Sequence, residues 1–273
     1  MRERLHLIAR HEKRAYNNDK EFGGRMQYEA DTHTHTLASG HAYNTIMEMV
    51  HAAAVKGLKA LAITDHTKGV PGHEMNGAPE DIYFRNFVVI PRIIEGVHLL
   101  MGAEVNILNG GTVDLSERAL RQQDIVIASI HRQCYDNEGL EENTRAMLKI
   151  VENPYVDILG HPDDSNTPMD YEQIVAKAAE TGTILELNEN SYRDPGLRKN
   201  CKENQMTYLA LCKKWGVPVT IGSDAHFVDV VGQHEHNEAI LKEADFPMEL
   251  VMNTSAEKLI NYLKARKARF QQS

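Results

Sequence analysis

Histidine and acidic residues recur along this chain at the ends of short apolar segments. Seven histidines and two carboxylates share this placement: His33, His35, His41, His66, Glu104, His131, His161, Asp224 and His226. If the apolar segments are the parallel strands of a barrel, their carboxyl ends meet at one face. Nine such residues are enough for about three metal ions with three or four ligands each. The pattern therefore indicates a multinuclear metal centre of the kind that activates water in hydrolases.

The first two histidines form a pair suited to chelation. Alternate residues of a strand point to the same side, so His33 and His35 project together. The pair alone is weak evidence, and its weight comes from the other strands, where ligand-type residues occupy the matching ends. Imidazole with carboxylate and without thiolate suits Zn²⁺, Mn²⁺ or Fe²⁺. The neighbouring Asp31 and Asp65 are expected to accept the second ring proton of a histidine.

Strand and helix patterns alternate along the chain. The predicted strands cover about 27–33, 59–64, 98–103, 124–130, 156–160, 183–187 and 217–222. The predicted helices cover about 44–56, 80–96, 115–122, 139–152, 170–181, 202–215, 234–244 and 255–268, and 67–79 is predicted to be a loop. Short, continuously apolar strands that alternate with helices are typical of a parallel sheet covered on both faces.

This alternation predicts an α/β fold, a distorted (β/α)7 barrel with the metal site at the C-terminal ends of the strands. An open doubly wound sheet would explain the alternation equally well, but it gathers ligands less easily from all seven strand ends. No low-complexity linker divides the chain, so residues 1–273 are predicted to form one domain. Residues 1–26 form an N-terminal extension with two interpretations open: a cap on the barrel, or an interface in a homo-oligomer.

The composition excludes several classes of protein. The chain has 273 residues and a formal net charge of −9, which argues against generic capture of nucleic acid. Its three cysteines, Cys134, Cys201 and Cys212, argue against a disulfide framework, so a cytoplasmic location is expected. The charged N-terminal segment lacks the apolar core of a signal peptide. No run of about 18 apolar residues occurs, so no membrane partner is expected.

Taken together, the motifs resemble those of the polymerase and histidinol phosphatase (PHP) family of metal-dependent phosphoesterases, which fold as a distorted seven-stranded barrel. The matching segments are Asp31-Thr32-His33-Thr34-His35, His41, Thr64-Asp65-His66, Glu104, His131, Gly160-His161-Pro162 and Gly222-Ser223-Asp224-Ala225-His226. The resemblance covers about residues 27–250. Every ligand position of the small stand-alone trinuclear phosphatases of this family has a counterpart in the chain.

The resemblance implies three divalent metal ions, with zinc favoured and manganese or iron as alternatives. The first ion would be held by His33, His35, Glu104 and Asp224. The second would be held by Glu104, His131 and His161, with Glu104 bridging, and the third by His41, His66 and His226. Because no ligand position is missing, the resemblance favours catalysis over a non-catalytic, metal-stabilised module.

The implied activity is hydrolysis of a small phosphomonoester, with a hydroxide held between two metals as the nucleophile. The candidate catalytic residues are Glu104, His66, Asp224 and Arg132. Arg132 follows His131 directly, and its planar guanidinium suits phosphate oxygens. The proton for the leaving group could come from a metal-bound water, Asp163 or Asp164, and Asn188 is a further candidate for a role at the site.

Two other activities fit parts of the pattern. A phosphodiesterase or 3′–5′ exonuclease of the same family would prefer a basic groove with aromatic platforms, whereas this chain is acidic and has one tryptophan. An amidohydrolase also opens with His-x-His, but that class lacks the glutamate of the third strand and the last histidine of Asp-Ala-His. A small phosphorylated substrate is therefore the favoured partner, and nucleic acid is disfavoured.

The remaining chemistry-bearing residues are predicted to be structural or exposed. They include His6, His11, His51, His73, His98, His234 and His236, with a pocket-lining role left open for His73. Cys134 is predicted to be an ordinary buried thiol. The basic run at 264–269 is predicted to be a solvated helix end.

Overall fold

The computed structural model describes residues 28–69, 80–193 and 197–270. Its strands are β1 Ala30–Asp31, β2 Ala60–Ile63, β3 Ile93–Ile94, β4 Val97–Leu108, β5 Thr112–Val113, β6 Ile125–Ser129, β7 Ile158–Gly160, β8 Ile184–Asn188 and β9 Val219–Gly222. Its α-helices are α1 Ile46–Val55, α2 Glu80–Arg85, α3 Glu117–Leu120, α4 Leu140–Glu152, α5 Tyr171–Thr181, α6 Cys201–Trp215, α7 Glu235–Glu243 and α8 Ala256–Phe270. No helix in these ranges combines the length and apolar character needed to cross a membrane.

Seven strands form a parallel sheet in the order β1-β2-β4-β6-β7-β8-β9. The other two, β3 and β5, pair antiparallel with the two ends of β4. Helices follow most of the parallel strands and cover the outside of the sheet. The larger apolar core lies between these helices and the outer face of the strands. The predicted α/β barrel is confirmed, as a sheet nearly closed on itself.

The first and last strands are joined near their carboxyl ends by the segments that follow them. The amide of Asp224 donates to the carbonyl of His33 at 2.9 Å, and the amide of His35 donates to the carbonyl of Ala225 at 2.9 Å. The segments that carry candidate ligands therefore also close the barrel.

At the other end of the gap between β1 and β9, one asparagine side chain takes the place of strand pairing. The amide group of Asn253 donates to the carbonyls of Ala30 (3.0 Å) and Ile221 (2.8 Å). Its side-chain oxygen accepts from the amide of Ile221 at 2.8 Å. These bonds satisfy the strand edges that an open barrel would leave without partners.

The barrel interior changes from apolar to polar along its axis. Near the amino-terminal ends of the strands, the interior is a cluster of apolar residues that includes Ile127, Ile158 and Ile184. Leu259 and Leu263 of α8 cover this cluster. Successive residues of a strand alternate between its faces. The inward position two residues after Ile184 is therefore Glu186, whose charge lies above the apolar layer. Thus α8 closes the amino-terminal end of the barrel and leaves the other end to the polar residues.

The predicted helix over 80–96 is wrong beyond Arg85. The chain forms a short 3-10 turn at Phe87–Val89 and then the hairpin of β3 and β4. Pro91 cannot continue a helix. Glu95 and Gly96 both have positive φ, 50° and 80°, which suits the tight two-residue turn of a hairpin.

The third predicted strand is longer than its predicted range of 98–103. β4 has twelve residues and continues past Glu104 to Leu108, where it turns back into β5. Gly110 and Gly111 make that turn at φ 81° and 78°. Glu104 is therefore held inside a strand and not at its end, which fixes its backbone more firmly than a loop would.

The C-terminal basic run is not simply a solvated helix end. Arg266 is buried, and its guanidinium donates to the carbonyl of Pro154 (3.1 Å) and to Thr183 Oγ1 (3.0 Å), and lies 3.4 Å from Asp157 Oδ1. Because Asp157 precedes β7, this contact fixes α8 to the end of the barrel. Lys264 in the same run is exposed, as predicted.

Candidate metal centre

The structure brings all nine candidate ligands to the carboxyl-terminal end of the barrel. Glu104 lies within β4, and the others follow β1 (His33, His35 and His41), β2 (His66), β6 (His131), β7 (His161) and β9 (Asp224 and His226). Six of them are buried, His131 and His226 are half-buried, and His41 is exposed. Backbone pairing between His66 and Glu104 and between Thr34 and Ala225 holds the segments in register.

Glu104 lies at the centre, with its two oxygens facing different groups of ring nitrogens. Oε1 is near Nε2 of His161 (3.1 Å) and of His131 (3.5 Å). Oε2 is near three others: His66 Nδ1 at 2.8 Å, His33 Nε2 at 3.4 Å and His35 Nε2 at 3.6 Å. A single carboxylate is thus placed between five histidines from four strand ends.

Asp224 provides a second carboxylate close to the histidine pair His33 and His35. Its Oδ1 lies 3.1 Å from Nε2 of His35 and 3.8 Å from Nε2 of His33. Its Oδ2 accepts hydrogen bonds from the side-chain amides of Asn188 (3.2 Å) and Asn190 (3.3 Å). The asparagines therefore fix the carboxylate so that the other oxygen faces the histidines.

The outer histidines form a third group. Nε2 of His226 lies 2.9 Å from Nε2 of His41, and the ring of His41 stacks on that of His66 at 5.0 Å. Nδ1 of His226 donates to the carbonyl of Asp224 at 3.1 Å. With its Nδ1 directed to that carbonyl, His226 presents Nε2 to its neighbours.

Several of these atoms are buried and make no hydrogen bond to any described residue: His33 Nε2, His35 Nε2, His66 Nδ1, Glu104 Oε2 and Asp224 Oδ1. A buried polar atom without a partner costs about 1–3 kcal/mol. Five together in one place are explained by a cation that they would coordinate. Compact ligand sets occur at His35, His66 and His226, at His33, His35 and Asp224, and at His66, Glu104 and His131. The residues present therefore fit divalent metal ions.

The acidic groups have the charge state that metal ligands need. Burial works to raise the pKa of Glu104, but His33, His66 and His131 hold that pKa well below its usual range. Burial also works to raise the pKa of Asp224, but His33 and His35 hold that pKa well below its usual range. Both carboxylates are therefore ionised at neutral pH.

The buried histidines differ from one another in the direction in which their pKa is shifted. Burial lowers the pKa of His35 to about 3, and it also holds the pKa of His66 well below its usual value. Burial works to lower the pKa of His33 as well, but Glu186, Glu104 and Asp224 together hold that pKa well above its usual value. His33 is thus surrounded by negative charge, an environment that attracts cations.

Three residues that the sequence did not single out contact the rings of candidate ligands and orient them. Glu186 Oε1 accepts from Nδ1 of His33 at 2.7 Å, and Asn106 Oδ1 accepts from Nδ1 of His131 at 2.6 Å. Ser39 Oγ lies 3.1 Å from Nδ1 of His35. A lone acid in the apolar strand Ile-Leu-Glu-Leu was the one available signal for Glu186. Nothing in the sequence distinguishes Asn106 or Ser39.

The expected role of Asp31 and Asp65 as partners of histidine rings is wrong. Asp31 accepts from the backbone amides of Ser223 (3.0 Å) and Gly232 (2.8 Å) and joins β1 to the region after β9. Asp65 accepts from the hydroxyls of Thr36, Ser39 and Tyr83 at 2.8, 2.7 and 2.6 Å. Both carboxylates fix loops, and within the described part of the chain Asp65 is linked to His35 through Ser39.

A cleft of about 520 Å³ opens beside the histidines. Candidate ligands that line it are His41, His66, His131, Asp224 and His226, and the other lining residues include Arg132, Arg198, Leu197 and Phe227. Arg132 is half-exposed; its guanidinium donates to the carbonyl of Leu197 and lies 3.5 Å from Asp164 Oδ2. His73 lies outside the described residues, as do most of the predicted loop 67–79 and the extension 1–26.

The two candidate proton donors occupy different places. Asp163 is buried and accepts from the hydroxyl of Ser191 (2.8 Å) and the amide of Gln205 (2.7 Å), away from the cleft. Asp164 lies on the cleft wall, where its Oδ1 accepts from the backbone amides of Asn166 and Lys199. Asp163 therefore holds neighbouring segments together through hydrogen bonds, and Asp164 contacts the guanidinium of Arg132 at the cleft.

The structure is a nearly closed α/β barrel with histidines and carboxylates gathered at one end, and residues 31–190 match the model of the PHP domain family. The chain belongs to this family. A probable phosphatase of Acetivibrio thermocellus is 44% identical over 246 residues, which cover 89% of this chain and 98% of that protein. A probable phosphatase of Clostridium novyi is 43% identical over 244 residues, 88% of this chain and 96% of that one. These relatives confirm the family resemblance and, at the level of enzyme class, the prediction of a phosphatase.

Solved structures share the fold at low identity. A histidinol phosphate phosphatase from Lactococcus lactis, complexed with zinc, L-histidinol and phosphate, has a TM-score of 0.51 and 18% identity, and the match covers 81% of this chain and 95% of that one. A chain of an archaeal ribonuclease P bound to mature tRNA has a TM-score of 0.52 and 14% identity, covering 89% and 93%. Because these two proteins differ in what they do, the likeness shows the barrel and not the activity.

Proposed function

We propose that this protein is a metal-dependent phosphatase that hydrolyses a small phosphomonoester. The observation that carries the proposal is the convergence of buried, unpaired histidine nitrogens and carboxylate oxygens around Glu104, beside a cleft of about 520 Å³. Clefts of roughly 300–1,000 Å³ are typical of small-molecule sites. The cleft therefore suits a phosphorylated metabolite better than a polymer.

Three divalent ions are proposed, with Zn²⁺ favoured and Mn²⁺ or Fe²⁺ as alternatives. The proposed ligand sets are His33, His35, Glu104 and Asp224; Glu104, His131 and His161; and His41, His66 and His226. The positions of the two oxygens support a role for Glu104 in both of the first two sets. Oε1 faces His131 and His161, and Oε2 faces His33 and His35. His66, a member of the third set, lies 2.8 Å from Glu104 Oε2, so the third set is adjacent to the other two.

When bound, such ions lower the pKa of a water molecule towards neutrality, supply hydroxide as the nucleophile and offset the charge of the phosphate. The chain must position the substrate. Arg132 is suited to this task because the Leu197 carbonyl and Asp164 anchor part of its guanidinium, while half of the side chain stays exposed at the cleft. An anchored planar guanidinium binds phosphate oxygens in a fixed orientation. Exposed Leu197 and Phe227 offer apolar contacts to the organic part of the substrate.

The solved relative from Lactococcus lactis supports the choice of metal and substrate class. Its structure contains zinc together with L-histidinol and phosphate. A phosphomonoester of a small alcohol is therefore a reasonable first substrate for this chain, and histidinol phosphate belongs in the first panel with sugar phosphates and nucleoside monophosphates.

The test combines elemental analysis of the purified protein with a phosphate-release assay on that panel. We expect bound divalent metal and turnover of at least one monoester. Bis-p-nitrophenyl phosphate and single-stranded DNA serve as diester substrates beside p-nitrophenyl phosphate. Faster cleavage of the diesters than of every monoester would replace the proposal with a phosphodiesterase, and protein without metal or turnover would refute it.

A further inference from the structure

Glu186 is a fully buried carboxylate outside the set of nine candidate ligands. Each of its oxygens binds a segment that carries one of them. Oε1 accepts from Nδ1 of His33 at 2.7 Å, and Oε2 accepts from the backbone amide of His161 at 2.9 Å. Burying a carboxylate in a barrel interior costs free energy unless donors compensate for the lost water. Here the donors come from the segments after β1 and β7, which Glu186 links across the barrel.

The bond to His33 selects which ring nitrogen is free. A carboxylate only accepts hydrogen bonds, so Nδ1 of His33 carries the proton and Nε2 keeps its lone pair when the ring is neutral. Nε2 is the atom that faces Glu104 Oε2 (3.4 Å) and Asp224 Oδ1 (3.8 Å). Glu186 therefore turns His33 so that its ligand atom points towards the two carboxylates.

The bond to His161 holds an unusual backbone. His161 has φ 29°, in a region that residues other than glycine rarely adopt. Such strain persists only where surrounding contacts fix it. The hydrogen bond from the backbone amide of His161 to Glu186 is one of those contacts. The resulting conformation places Nε2 of His161 3.1 Å from Glu104 Oε1.

The neighbouring strand leaves room for this carboxylate. A Cβ atom at Gly222 would lie 2.2 Å from Glu186 Oε1 and 2.8 Å from the Cβ of His33, closer than real atoms approach. Asn188 extends the link, because its amide donates to Glu186 Oε2 and to Asp224 Oδ2, both at 3.2 Å. The glycine thus accommodates a carboxylate that contacts three ligand-bearing segments, one of them through Asn188.

We infer that Glu186 is a positioning residue for the metal centre, coupling the first and second proposed ion sites through the ring of His33 and the backbone of His161. The inference rests on the proposed function only in requiring that the site bind divalent ions. Loss of a hydrogen-bond partner behind a ligand typically costs about 10- to 100-fold in metal affinity. Because Glu186 contacts two sites, its loss is expected to weaken both.

The test measures Zn²⁺ affinity by chelator competition in wild type, Glu186→Gln and Gly222→Ala, together with the thermal stability of each metal-free protein. Glu186→Gln keeps one acceptor oxygen but replaces the other with a donor. Gly222→Ala keeps the carboxylate but displaces it together with the side chain of His33. Both are expected to lower Zn²⁺ affinity by about 10- to 100-fold. The visible spectrum of the Co²⁺-loaded variants is expected to shift, because it reports ligand geometry.

Asp157→Asn is the matched control. Asp157 is also fully buried, but it lies at the opposite end of the barrel, where it accepts from the amide of Val126 at 2.9 Å. This variant is expected to lower metal-free stability while its Zn²⁺ affinity stays within twofold of wild type. A Zn²⁺ affinity of Glu186→Gln within twofold of wild type would overturn the inference, as would a loss no larger than in the control. If Glu186→Gln does not fold, Glu186→Asp decides by the same criteria. Wild-type protein that binds no divalent ion would instead refute the proposed function.

Discussion

Oε1 of Glu104 lies 3.1 Å from Nε2 of His161, although β6 separates their strands in the sheet. Residues from strands that are not neighbours can meet in this way because the sheet curves into a barrel and both side chains point to its interior. The contact places an ionised carboxylate among histidines from other strands. It makes Glu104 the residue whose replacement should affect the whole centre.

Glu104→Gln is expected to lose bound metal and at least about a hundredfold in phosphatase activity, because a neutral amide would not replace a carboxylate that is proposed to be shared between ions. Elemental analysis and phosphate release measure the two effects. Glu117→Gln, which changes an exposed glutamate on α3, is the control and should keep both. Full metal content and normal turnover in Glu104→Gln would contradict the proposed arrangement.

Removal of metal by a chelator is expected to abolish activity reversibly and to lower Tm. An ion that binds only the folded state stabilises it by about 4 kcal/mol when its concentration is a thousandfold above Kd. Differential scanning calorimetry before and after chelation, and again after addition of Zn²⁺, measures the change. Activity and Tm that survive complete removal of metal would be incompatible with the proposal.

Arg132→Gln is expected to raise KM for a phosphomonoester by about tenfold or more, because the substrate would lose a charge-assisted hydrogen bond. Steady-state kinetics on p-nitrophenyl phosphate separate this effect from a change in kcat. The matched control is Arg121→Gln, because Arg121 is exposed, pairs with Glu117 and does not line the cleft. Equal KM values in the two variants would remove Arg132 from the substrate site.

His234 is expected to make stability depend on pH. It is buried against Tyr28, with ring centroids 5.7 Å apart, and neither ring nitrogen has a hydrogen-bond partner among the described residues. Burial lowers the pKa of His234 below its ordinary value of 6.5. Nearby charged groups act on the same pKa in both directions; they are Asp31, Glu189, Glu235 and Arg193.

The sign follows from which state binds the proton. As the pH falls below 6.5, the unfolded chain protonates this histidine and the folded protein does not, so stability is lost until the pH reaches the folded pKa. The contribution is about 1.4 kcal/mol per pH unit at most. Urea unfolding of metal-free wild type and His234→Phe at pH 7.5, 6.5 and 5.5 measures it. Other histidines contribute to both proteins, so the difference isolates His234, and parallel pH profiles would show that this residue has no such effect.

Sequence reasoning located the candidate ligands because their signal is local. A histidine or acid at the end of an apolar segment is visible without knowing how the chain folds, and parallel strands bring such ends together. The same reasoning failed between 86 and 96, where Pro91 and the Glu95-Gly96 turn changed a helical pattern into a hairpin. It also failed for Asp31 and Asp65, since closeness in sequence to a ligand does not determine which group a carboxylate contacts.

The order of apolar segments and the nine residues at their ends determined the barrel class and the candidate ligands. Only the tertiary structure decided how those ligands are oriented. Glu186, Asn106 and Asn253 act across the barrel on residues far away in the chain, through bonds that depend on strand order and curvature. Strand periodicity is a short-range property of the sequence. A hydrogen bond between distant strands exists only once the sheet has closed.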